Sequence, residues 1–159
     1  MQSPLFPALI IISSLLLAFT LFAVALRLIL RNLKQLLRRR LTERLLPGET
    51  ILAEDFRANF FGLQSLGGAQ FRGNGLLVLT DQALVFQMLL PSRTFRIALT
   101  EVTGTSIVRS HCGKTIARNL LKVSFGSQGR EDAMAWFVPE AEQWQRQLDA
   151  AVQHRPCGV

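Results

Sequence analysis

The alternation of apolar and polar positions divides the chain into three regimes. From Leu5 to Leu26 nearly every residue is Leu, Ile, Phe, Val or Ala, and no charged side chain occurs before Arg27. About 20 such residues are enough to cross the hydrocarbon core of a bilayer as a helix. In the second regime Leu26, Ile29, Leu30, Leu33, Leu37 and Leu41 recur at three- and four-residue steps. Arg27, Arg31, Lys34 and Arg38 form a parallel stripe at similar spacing. This periodicity predicts that the helix continues past the apolar run as an amphipathic segment with a cationic face. Pro47-Gly48 then closes the pattern, because proline lacks an amide donor and glycine readily takes the cap conformation. One helix over Leu5–Leu45 is expected, about 60 Å long at 1.5 Å per residue, twice the thickness of a membrane core.

Beyond Pro47 the period changes to that of strands. Apolar runs separated by turn residues predict about seven of them, at Thr50–Phe61, Leu76–Leu79, Ala83–Leu89, Thr94–Leu99, Thr105–Arg109, Leu120–Phe125 and Ala133–Val138. A glycine-rich loop, Gly62 to Gly75, joins the first two. In the stretch GLLVLTDQALVF, Gly75, Leu77 and Leu79 share one face, Leu84 and Phe86 continue it on the return strand, and Thr80–Ala83 supplies the reversal. A closing helix follows. Pro139 suits its first turn, Glu140 and Glu142 suit its positive end, and Ala141, Trp144, Leu148 and Val152 fall on one face. The run of residues 154–159 has no periodicity and is expected to be a loose tail.

Charge adds a location to this outline. The net charge is +7, with 18 basic and 11 acidic residues. Seven of the cations, Arg27, Arg31, Lys34, Arg38, Arg39, Arg40 and Arg44, fall in one window with Glu43 as its single anion. The rest of the chain has eleven basic against ten acidic residues and is nearly neutral. A basic excess that hugs the end of an apolar span points to an anionic membrane surface and away from nucleic acid. Positive charge at that end also sets the expected orientation, N-terminus outside and the C-terminal domain in the cytosol. Ala23-Val24-Ala25 resembles a signal-peptide cleavage site, but a basic leader is missing and strong positive charge follows it, so an uncleaved anchor is expected. The basic stripe reads either as attraction to headgroups, at about 1 kcal/mol per cation, or only as a topology determinant. The apolar stripe beside it can also serve as a helix-pairing seam, which leaves a homo-oligomer open. The resulting division is residues 1–26 as N-terminus and span, 27–46 as juxtamembrane helix, 47–153 as a β-domain and 154–159 as tail.

The pattern G-x-L-x-L-T-D-x-x-L-x-F, here Gly75, Leu77, Leu79, Thr80, Asp81, Leu84 and Phe86, resembles that of GRAM domains and the wider pleckstrin-homology-like superfamily. The lead-in PGETILAE, the stretch FRIALTEVTGTSIV and the terminal helix bearing Trp144 are similar to the corresponding parts of those domains. The resemblance spans residues 47–152. It implies a mainly-β, partly open barrel of two near-orthogonal sheets with a helix plugging one end. Such domains serve as scaffolds for lipid headgroups, peptides or proteins and share no catalytic site. Many that bind phosphoinositides carry several cations in the loop between the first two strands; here that loop holds only Arg72.

Other candidate chemistry is thin. The stretch RSHCGKTIAR is read as a basic loop whose Arg109, Lys114 and Arg118 form a possible anion or headgroup site. Gly113-Lys114-Thr115 resembles the end of a phosphate-binding loop, but Val108 stands where the leading glycine is required. His111, Cys112, His154 and Cys157 are poorly spaced for zinc, and the two cysteines are expected as free thiols. Trp136 and Trp144 lie in apolar periodicity and are expected in the core. No nucleophile, base and stabiliser occur together, so no enzyme, metal or cofactor is expected. The expected function is a membrane-anchored interaction or scaffold protein, an accessory or assembly subunit that contacts a membrane or cytosolic protein. The alternative is an anionic-lipid-sensing module.

Overall fold

The computed structural model describes residues 5–43, 45–127 and 129–154. The chain divides between Arg39 and Arg40 into two compact units. The first is formed by α1 (Leu5–Thr42), whose last residues belong to the second unit. The stretch from Ile11 is long and apolar enough to cross a membrane, and its large side chains, such as Leu15, Phe19 and Phe22, are exposed. Its hydroxyls are satisfied within the helix: Ser14 Oγ donates to the Ile11 carbonyl and Thr20 Oγ1 to that of Leu17, each at 2.8 Å. Polar groups facing hydrocarbon need such internal partners. The helix stops at Thr42, short of the Leu45 expected from periodicity. Glu49 explains the early end, because its carboxylate takes the Leu46 amide at 2.9 Å and closes the turn around Pro47-Gly48.

The second unit holds seven strands and a helix. The strands are β1 (Ile51–Leu63), β2 (Gly73–Thr80), β3 (Ala83–Met88), β4 (Arg93–Ala98), β5 (Val102–His111), β6 (Lys114–Ser127) and β7 (Arg130–Phe137), followed by α2 (Ala141–Gln153). They form one antiparallel sheet in the order β4-β3-β2-β1-β7-β6-β5. The sheet folds on itself around a main core fed by Phe60, Leu77, Phe86, Ile97, Leu121 and Trp136. β4 and β5 remain its two edges, so the barrel is open there. Ala141, Trp144 and Leu148 bury one face of α2 in the same core.

The β2–β3 hairpin follows the expected register, with Leu77 opposite Phe86 and Leu79 opposite Leu84. Thr80 makes its bend: Oγ1 accepts the Ala83 amide at 2.9 Å and donates to the Ala83 carbonyl at 3.0 Å. Asp81 Oδ1 accepts the Thr50 amide at 3.0 Å, which ties the hairpin to the start of β1. Gly75 is required by close approach, since a Cβ there would lie 2.2 Å from the Gln87 carbonyl oxygen.

Two expectations about loops are corrected. The segment Arg109–Arg118 is a hairpin, with β5 running to His111 and β6 starting at Lys114. Its turn is Cys112-Gly113, both at positive φ (50° and 72°), as a tight two-residue reversal requires. The glycine-rich loop is likewise shorter than Gly62–Gly75, because β1 runs through Gly62 and β2 begins at Gly73. Gln70 orders the remainder, its side chain accepting the Leu63 amide at 2.8 Å and donating to the Leu63 carbonyl at 2.6 Å.

Candidate functional site

Three departures from regular pairing raise a groove on the outer face of β1, β6 and β7. In the first, β1 places three residue steps from Asp55 to Ala58 opposite two on β2, from Leu77 to Gly75. This bulge carries Arg57, whose amide donates to Asp55 Oδ1 at 2.6 Å. The second lies between Phe60 and Gly62 against β7. It carries Phe61, which faces away from the main core and joins Leu120 and Ala135 in a smaller apolar cluster.

The third is the largest. Val108 pairs with Leu120 and Ser110 with Thr115, so two steps on β5 face five on β6. The surplus falls at Ile116–Asn119 and arches over the outer face. Ile116 and Phe137 pack against the Phe61 cluster, while Ala117, Arg118 and Asn119 form a wall. Bulges of this kind re-aim side chains that a regular strand would place elsewhere.

The groove consists of two adjoining open cavities of about 670 and 430 Å³ that share Arg57, Ala117, Arg118 and Phe137. The first reaches Arg109 and the start of α2 at Ala141 and Glu142. The second reaches Phe61, Arg72 and Asn74 near the other end of β1. The distance along β1 from Arg57 to Phe61 is about 13 Å at 3.3 Å per residue. The floor is formed by Phe137 and Ile116 over the buried Phe61, and the rim is cationic. The Arg72 guanidinium sits 4.0 Å from the Phe61 ring centroid, and that of Arg118 5.5 Å from the Phe137 centroid. Stacking of this kind holds a guanidinium in place while leaving its N–H edge free for an anion.

Most of this charge is uncompensated. Among the described residues Arg57 is paired with Asp55, at 3.4 Å, whereas Arg72, Arg109 and Arg118 have no carboxylate partner. Glu142 is the one acidic residue lining either cavity. Its carboxylate is held by its own backbone amide and by the Asn119 side chain, which keep its pKa below the ordinary range. A concave wall with one sign of charge focuses potential and concentrates counter-ions.

Of the three residues singled out for anion binding, the structure brings Arg109 and Arg118 to the first cavity. Lys114 points elsewhere: its ammonium donates to the Gln70 carbonyl at 2.6 Å and the Phe61 carbonyl at 3.3 Å, pinning the β1–β2 loop. His111 and Cys112 act in the same latch. His111 Nε2 lies 3.1 Å from the Gly62 carbonyl, and burial lowers its pKa; Cys112 Sγ lies 3.6 Å from the Leu63 carbonyl, and burial raises that thiol. Arg57 gave no signal in the sequence, and Arg72 was visible only as a lone cation among glycines. The bulges that aim them leave no motif.

The cations proposed for the membrane surface lie mostly along α1, where Arg27, Arg31, Lys34, Arg38 and Arg39 are exposed. Arg40 belongs to the second unit, and its Nη1 donates to Ser92 Oγ at 3.2 Å. Arg44, residues 1–4 and the tail residues 155–159, with Cys157, lie outside the described residues.

No protein-family model and no curated protein matches the chain. Solved structures do share its fold. The C-terminal domain of an unknown protein from Leishmania infantum matches with a TM-score of 0.54 at 19% identity, over 76% of this chain and 97% of that one. A chain of the 8S snRNP assembly intermediate matches with a TM-score of 0.55 at 12% identity, over 72% of this chain and 92% of that one. The Vps36 N-terminal PH domain matches with a TM-score of 0.52 at 13% identity, over 69% of this chain and 83% of that one. The β-domain therefore has a pleckstrin-homology-like fold, in a chain that also carries one helix apolar enough to cross a membrane.

Proposed function

We propose that this chain is a single-pass membrane protein that presents its pleckstrin-homology-like domain on the cytosolic face as a non-enzymatic interaction module. The observation that carries this reading is the union of that domain with an apolar helix in one chain. A domain with a permanent anchor does not need lipid affinity to reach the membrane, so its binding surface is available for a protein partner. The orientation follows from the cations Arg27, Arg31, Lys34, Arg38, Arg39, Arg40 and Arg44 just after the apolar run. These cations also favour an anionic leaflet, each by about 1 kcal/mol when close to the surface. In this reading the protein is an accessory or assembly subunit whose domain holds a partner at the bilayer. Two of the matched structures are a PH domain and a chain from an assembly intermediate, and both fit that role.

The test combines topology with capture. Protease protection should leave a C-terminal tag accessible from the cytosol, and alkaline carbonate should fail to extract the protein. Crosslinking in native membranes, followed by mild-detergent purification, should capture a defined partner. A protein that is released by carbonate, or that migrates alone after crosslinking, would overturn the reading.

A further inference from the structure

We propose that the outer groove binds an acidic segment of a partner protein in extended conformation. Its carboxylates would meet Arg57, Arg72, Arg109 and Arg118, and an apolar side chain would rest on Phe137 and Ile116. This deepens the interaction reading and rests on it.

The ligand class follows from three features of the groove. The first is charge complementarity. Arg72, Arg109 and Arg118 without a carboxylate partner, and Arg57 paired with Asp55, face one glutamate, and that glutamate is already satisfied by Asn119 and its own amide. Carboxylates suit the planar guanidinium fork, which can bind them in a bidentate manner. The second feature is the spread of the cations. Arg109 lines only the first cavity and Arg72 only the second, with Arg57 and Arg118 common to both. A compact phosphate or headgroup calls for convergent cations, whereas a trough suits charges spaced along a chain. An extended peptide repeats same-side residues about every 7 Å, so two or three alternate acidic residues match the span of about 13 Å along β1.

The third feature is the floor. Phe137 and Ile116 are half-buried apolar side chains between the cations, packed on the buried Phe61 ring. A headgroup brings nothing apolar to cover them, while a Leu or Phe flanked by acidic residues does. The groove also lies along the flank of the barrel, between the start of α2 and the β1–β2 loop, and not across the loop ends.

The test uses the full chain in nanodiscs of zwitterionic lipid. The probe is a short fluorescent peptide in which glutamates alternate with leucine around one phenylalanine; the control has glutamine in place of every glutamate. Saturable binding of the acidic probe is expected, weakening steeply with salt. Arg118→Gln and Arg72→Gln should each weaken it by about tenfold, with the melting midpoint unchanged. Equal binding of the glutamine control, or unchanged affinity in both variants, would overturn the proposal. So would groove-dependent capture of phosphoinositide vesicles without peptide binding, since the ligand is then a lipid. Crosslinking separates this claim from the reading beneath it. A partner captured equally by wild type and Arg118→Gln removes the groove but keeps the interaction module. A partner captured by neither removes both.

Discussion

Phe60 and Phe61 are neighbours on one strand, both buried, and belong to different apolar clusters. Phe60 faces the barrel core, its ring 4.9 Å from Phe95 and 5.8 Å from Phe86, with Trp136 at 6.2 Å. Phe61 lies on the other side of the strand, buried in a smaller cluster under the Arg72 guanidinium. One side of the strand is closed by aromatic rings and the other by arginines. Aromatic rings excluded from water contribute to stability, while unpaired cations over an aromatic floor do little for the folded state and are suited to a ligand. The two faces should therefore respond differently to substitution.

The largest difference is expected from truncating an aromatic on each side. Phe60→Ala should destabilise the domain by about 3–5 kcal/mol, the usual cost of an unfilled aromatic site in a packed core. Phe137→Ala, half-buried on the groove floor, should cost about 1–2 kcal/mol. Chemical denaturation of the full chain in detergent, followed by tryptophan fluorescence, measures both. Equal losses would break the distinction between core and groove.

A second test compares glycines. Gly75→Ala puts a methyl group into the backbone between β2 and β3, where the strands have no slack. A loss of about 3 kcal/mol is expected. At Gly104 nothing lies within 4 Å of an added Cβ, so Gly104→Ala should change stability by less than about 0.5 kcal/mol. Near-equal effects would mean that the β2–β3 pair is not the rigid wall it is taken to be.

The same contrast explains what was legible in the sequence. The core side is written in periodicity: Leu77, Leu79, Leu84 and Phe86 alternate, and they occupy the expected register. Trp136 and Trp144 lie in apolar periods, and both are buried. The groove side is built from exceptions to period two. Arg57 stands at a one-residue bulge and Arg118 in a three-residue surplus opposite β5. No residue type marks a bulge, because it is decided by which partner residues pair across strands far apart in sequence. Arg109 and Arg118 were picked out because they flank a short basic run, yet the feature that unites them is the surplus in β6. Lys114, between them in sequence, is drawn off by two carbonyls of the β1–β2 region, a contact that only the folded chain creates.

Arginines can be compared as well as aromatics. Arg96 is ion-paired to Glu49, whose side chain is fully enclosed, and this contact joins the segment before β1 to β4. Burial raises the Glu49 carboxyl, but the hydrogen bond from Arg96, the Leu46 amide and the Arg96 charge outweigh it, so the pKa falls below 4.5. A carboxyl depressed in the folded state contributes stability that is complete above its unfolded pKa. That contribution is lost as pH falls through the folded value. Stability should therefore decline below about pH 4.5, and the decline should be shallower in Glu49→Gln, which itself costs about 2 kcal/mol at neutral pH. An acid limb identical in both proteins would show that the pair contributes little.

The smallest expected stability change is at the groove rim, and it is the most informative. Arg118 is exposed, has no carboxylate partner among the described residues, and touches the fold through the Phe137 ring. Arg118→Gln should shift stability by no more than about 0.5 kcal/mol, as surface substitutions away from special features do. Removing a cation from a one-signed cluster can even be slightly stabilising, because it relieves repulsion with Arg57 and Arg109. Raising the salt concentration should then stabilise wild type slightly more than the variant, since screening relieves the same repulsion. A loss of 2 kcal/mol or more would instead make Arg118 a structural residue that clamps the β6 arch onto Phe137. The groove would then be a by-product of packing, and the two faces of β1 would differ in degree and not in kind.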